Sequence, residues 1–130
     1  MSRRKSIHVE GFDHGSLPIP AASRVGNIIA TGGVYGLDPT TGKLPDDVGL
    51  QGELMFANLK RILEAAGARL EDVVKMTFWV KVPEARQVIN TGWLIAFPDA
   101  DSRPARHTLQ NDNLPANMLV QCDALAVTTL

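Results

Sequence analysis

The chain has 130 residues, of which 45% are apolar and 21% charged, and its 13 basic and 14 acidic side chains nearly cancel. That composition belongs to one soluble globular domain, residues 1–130, with chain enough for a single core. It excludes the basic field that nucleic acid or an anionic membrane selects. A single cysteine, Cys122, excludes an internal disulfide, and no apolar run reaches the roughly 20 residues of a membrane helix. With no signal-peptide pattern at the start, the expected location is the cytoplasm.

The "SRRK" run, Ser2 to Lys5, reads as a solvated basic tail. Ser6–Glu10 reads as a short edge strand, and the Gly- and Pro-bearing run that follows as loop, so residues 1–16 form an edge-strand and loop extension. "AASRV" and "IIATGGV" flank Gly26-Asn27, a pair that supplies the positive φ of a tight hairpin turn. The glycines of "TGGVYG" lead into a loop and not into a helix. They imply a bulge or a close backbone approach, and not a phosphate cradle.

Asp46 or Asp47 is placed to cap a helix. Its apolar stripe is Val48, Gly52, Met55, Leu59, Ile62 and Ala66, and Gly67 is the stop. Val73 to Lys81 alternates, with Val74, Met76, Phe78 and Val80 predicted inside. A second helix starts near Pro83, with Ala85, Val88, Ile89, Gly92, Trp93 and Ala96 inward. Arg106–Gln110 is a short strand. Met118–Val127 is a long one whose Met118, Val120, Cys122, Ala124 and Ala126 share an apolar face. These elements make an α+β fold, a mixed sheet with two helices packed on one face. The other sheet face, carrying Trp79, Leu119, Leu125 and Val127, then needs a partner, and a homo-oligomer is expected.

His8, His14 and His107 have no ligand spacing and Cys122 stands alone, so no metal site is expected, and a loop histidine such as His14 is expected to be solvated. Cys122 falls on an apolar strand face, as a core residue and not a thiolate. Arg106 is different. It opens a strand at the sheet rim, and its planar fork matches a carboxylate. An ion pair with Asp99, Asp101 or Asp123 is the competing reading.

Three stretches carry a resemblance. "RPARHTLQNDNLPANMLVQCDALAV", "VGNIIATGGV" and "NLKRILEAAGARLEDVVKMTFWVK" resemble, in order and spacing, the Rid family of reactive intermediate deaminases. Older names for it are YjgF/UK114 and "endoribonuclease L-PSP". The resemblance runs from about Leu17 to Val127 and implies a chorismate-mutase-like fold, a homotrimer and ligand clefts between subunits. It implies hydrolysis of enamines and imines, such as 2-aminoacrylate, to 2-keto acids and ammonia without a cofactor.

On that resemblance Arg106 of Pro104-Ala105-Arg106 clamps the substrate carboxylate, and Asn90 matches a cleft asparagine. Gln121 stands where the family has a carboxylate that activates water. Gln can hold a water but cannot take its proton. Ile19 replaces a cleft tyrosine and Gly32 a cleft serine, which marks the chain as a divergent member. The alternative is a non-catalytic trimer that binds small carboxylates or keto acids between subunits. Ribonuclease action would need a basic groove and an acid–base pair, and the chain offers neither.

Overall fold

The computed structural model describes residues 3–129. Six strands and two helices follow in the order β1 (Lys5–Ile7), β2 (Ala22–Val25), β3 (Ile28–Thr31), α1 (Val48–Ala65), β4 (Val73–Val80), α2 (Glu84–Ala96), β5 (Ala105–Gln110) and β6 (Val120–Val127). A single 3-10 turn, Leu70–Asp72, leads into β4. The strands form one sheet in the order β1-β2-β3-β6-β4-β5. β4 and β5 run parallel and the other pairs antiparallel, so the sheet is mixed as expected.

Local chemistry explains most boundaries. Gly26 takes φ +57 in the β2–β3 turn, and Val25 pairs with Ile28 across it. Asp47 is the cap of α1, its carboxylate accepting from the Leu50 N–H at 2.8 Å. At the other end Gly67 takes φ +85, and the Arg24 guanidinium donates to the Ala66 carbonyl at 2.5 Å. A cation at a helix C-terminus also meets the negative end of its dipole. The first strand runs Lys5–Ile7, shorter and one residue earlier than the Ser6–Glu10 expected.

Both helices lie on the sheet face that carries Ile29, Met76, Phe78, Val120 and Cys122, all fully buried. Each large apolar side chain sealed there contributes about 2 kcal/mol. The helices approach closely because Gly52 of α1 and Gly92 of α2 lack side chains. A Cβ on either would collide with Val88 or Phe56. In β4 the predicted alternation fails at its start. Val73 is buried and Val74 is 49% exposed, because the register against β6 shifts between Val73 and Lys75. A bulge adds one residue and reverses the faces before it.

The opposite sheet face is bare. Ile28, Leu109, Leu125 and Val127 are exposed there, while Trp79 and Leu119 are half-buried.

Gln51 is a polar residue inside the core, fully buried. Its amide donates to the Pro45 and Asn117 carbonyls at 2.7 and 2.8 Å, and its oxygen accepts from the Leu119 N–H at 2.9 Å. One side chain thus ties the start of α1 to the approach of β6. Gln51→Ala removes all of these bonds and leaves the part-buried Pro45 and Asn117 carbonyls and the Leu119 N–H without this partner. Urea unfolding is expected to show a loss of about 3 kcal/mol; a change under about 0.5 kcal/mol would contradict the role given to Gln51.

Candidate functional site

Arg106 projects from β5 on the helix side of the sheet, beside Met76 in the parallel register. None of Asp99, Asp101 and Asp123 pairs with it. One Nη donates to the Asn90 Oδ1 at 2.5 Å. The guanidinium carbon lies over Trp93, 4.9 Å from the ring centroid, and over Phe78 at 5.6 Å. Trp93 is itself wedged edge-on against Phe78 and Phe97. Aromatic rings thus back the group and Asn90 holds one corner, while Nε and the other Nη keep donors for a planar acceptor. Burial, and after it the nearby Arg86, weaken the hold of Arg106 on its proton.

Thr108 follows two residues on and shares this face. Its hydroxyl is buried with no partner among the described residues. Strand alternation alone could have located it.

Gln121 sits elsewhere. It pairs with Trp79 across β6 and β4, so it lies on the bare face. Its amide packs on Gly33, where a Cβ would come within 2.8 Å of the Gln121 Cδ. The amide also donates weakly to the Met118 sulfur at 3.5 Å. Here Gly32-Gly33 interrupts β3 before Val34 bridges Cys122, the bulge and close approach expected of these glycines. The place where a Gly32 side chain would begin is 3.7 Å from the Pro20 carbonyl, and Ile19, half exposed, adjoins Pro20.

His14 belongs to this second group, contrary to the solvated loop histidine expected. It is partly buried, its Nε2 donates to the Gly33 carbonyl at 2.7 Å, and its ring packs on Phe12 and Tyr35. The carbonyl partner fixes the proton on Nε2. Nδ1 is buried with no partner among the described residues. Nothing in the local composition distinguished this histidine from one in water.

Two groups of residues therefore exist. Arg106, Asn90, Trp93 and Thr108 lie on the helix side; Gln121 meets Gly33 from the sheet's other face, and His14 adjoins Gly32 and Gly33. In register, Arg106 and Gln121 are two strands and three residues apart, on the order of 14 Å between Cα atoms. One copy of the chain does not bring the guanidinium and the amide to a common ligand.

The family model for Endoribonuclease L-PSP matches residues 18–128. The chain belongs to this family, the Rid family. Over 124 residues it is 32% identical to 2-iminobutanoate/2-iminopropanoate deaminase of Escherichia coli K12, covering 95% of this chain and 97% of that one. Among solved structures it superposes on the YjgF gene product of E. coli with TM-score 0.84 and 31% identity, covering 95% of this chain and 98% of that one. It superposes on E. coli TdcF with bound serine at TM-score 0.86 and 28% identity, covering 96% and 99%. The Rid fold expected from the sequence is therefore the fold found.

Arg103, three residues before Arg106, has a structural role. It donates to the Phe97 and Pro98 carbonyls at 2.8 and 3.3 Å and so closes the C-terminal end of α2, the helix that carries Asn90 and Trp93. Among the described residues no three His, Cys, Asp or Glu side chains cluster to hold a metal ion, and no helix is long and apolar enough to cross a membrane.

Cys122 is fully buried in β6, and burial, with Asp123 adding to it, pushes its thiol far up. The thiolate is the reactive form. Cys122 is expected to resist iodoacetamide for hours at pH 8 in the folded protein and to react within minutes in denaturant. Rapid native labelling, followed by mass spectrometry, would remove it from the core.

Proposed function

We propose that this Rid-family chain hydrolyses 2-imino acids and their enamine tautomers to 2-keto acids and ammonia, at a site completed between copies of a homotrimer. The observation that carries the reading is Arg106. A partly buried guanidinium lies over Trp93 and is bonded at one corner to Asn90, with no carboxylate paired to it among the described residues. A ligand carboxylate supplies the missing charge and takes the remaining donors in a fork. The deaminase name of the E. coli relative and the serine bound to TdcF, itself a small carboxylate, support the same ligand class.

Assembly supports it too. The bare sheet face, with Leu125 39% and Val127 42% exposed, offers the surface for self-association. A second copy is what lets Gln121 approach a ligand held by Arg106.

The chemistry is then modest. Arg106 fixes the carboxylate and so presents the imine carbon to water. The Gln121 amide accepts from that water through its oxygen, or donates to it. Water adds its oxygen to carbon while its proton passes to the imine nitrogen. The carbinolamine collapses as the C–N bond breaks, the hydroxyl proton leaves with nitrogen, and keto acid and ammonia remain. The nitrogen serves as base throughout, so the loss of a family carboxylate at Gln121 removes assistance and not a stoichiometric partner. Positioning of an intrinsically labile imine accounts for the acceleration.

The test is ammonia release from freshly generated 2-aminoacrylate. Arg106→Ala is expected to lower kcat/KM at least about a hundredfold, and Arg106→Lys to recover part of it without the fork. Wild-type release equal to the uncatalysed rate, with saturable 2-oxobutyrate binding that depends on Arg106, would replace the hydrolase by a carboxylate-binding trimer.

A further inference from the structure

Arg106 is not the only guanidinium at its end of the sheet. α2 carries Arg86, Asn90 and Trp93 at positions i, i+4 and i+7, which places them on one stripe. Asn90 and Trp93 both touch Arg106. Arg86 stands one turn before Asn90, with about 6 Å between Cβ atoms at that spacing.

Its side chain has no counter-charge. The one ion pair among the described residues is Arg69 with Glu71. The side chain of Arg86 makes no hydrogen bond among them either; its backbone N–H donates to the Pro83 carbonyl. Glu84 is two positions away, on a different side of the helix, and does not reach it. Arg86 also lies in the first turn of α2, where the helix dipole disfavours a cation. The charge is felt across the gap: Arg86 adds to burial in loosening the proton of Arg106, and no acidic group acts the other way. Helical spacing thus sets Arg86, in the first turn of α2, one turn from the Asn90 that binds Arg106, and neither guanidinium pairs with a carboxylate among the described residues.

Such an arrangement opposes folding slightly and is relieved by an anion. A monocarboxylate satisfies Arg106 alone. We propose that Arg86 is a second anion-binding residue of the cleft, and that the preferred substrates and product analogues carry two carboxylates, as do imines of acidic amino acids. The inference rests on Arg106 as the carboxylate clamp. The first carboxylate lies in the Arg106 fork, and the second, at the end of the side chain, meets Arg86. Because Arg86 is exposed, its contribution falls as salt rises.

Calorimetry on the full chain at low salt, with 2-oxoglutarate and 2-oxobutyrate as probes, tests this. Wild type is expected to bind 2-oxoglutarate about tenfold more tightly. Arg86→Gln is expected to reduce that ratio to about two or less, Arg86→Lys to keep part of it, and Arg106→Ala to lose both ligands. Arg86 is exposed, and a circular dichroism melt verifies that its variants fold. Equal affinities in wild type, or a preference that persists in Arg86→Gln, overturns the inference. In that case Arg106-dependent 2-oxobutyrate binding and imine hydrolysis leave the proposed function standing. If neither acid binds and no imine is turned over, both fall.

Discussion

A guanidinium that is partly buried and has no carboxylate beside it is a charge awaiting its complement. Arg106 is held by a ring face and an amide oxygen, both neutral. Neither offsets a unit charge as a carboxylate would. The surrounding structure is arranged to keep it so. Gly92 lets α2 lie close on Phe56, Arg103 closes the end of that helix, and Phe97 and Phe78 wedge Trp93 beneath the guanidinium. The guanidinium is thereby oriented by its own chain, which on the proposed reading leaves little ordering to oppose binding.

The sheet then dictates where the rest of the site must come from. Side chains alternate across a strand, and pairing puts Arg106 with Met76 and Gln121 with Trp79. Those two rows face opposite ways. The face that carries Gln121 also carries the exposed Leu109, Leu125 and Val127. A single requirement, apolar cover for that face, thus coincides with the requirement for a second group near the ligand. The proposed self-association would answer both.

Much of this was legible in the chain itself, because the signals are local. A capping Asp47, the stripe from Gly52 to Ala66, the Gly26 turn and the alternating β6 each declare themselves within a few residues. What was not legible depends on partners distant in sequence. The bulge that buries Val73 instead of Val74 leaves no mark in residue type. Gln51 is polar within an apolar stripe, and its burial makes sense only beside Asn117 and Leu119. The partial burial of His14 depends on Gly33, nineteen positions away. Arg106 and Asn90 do meet within one chain, whereas Gln121, matched by resemblance to a cleft between subunits, lies on the opposite sheet face.

The most direct measurement is a crystal structure of the assembled protein soaked with 2-oxobutyrate. The account predicts the ligand carboxylate in a two-pronged contact with Arg106, over Trp93, in a cleft where Gln121 of another copy faces the keto carbon. A carboxylate bound away from Arg106, or an Arg106 already paired with an acidic residue of a neighbouring copy, would contradict it.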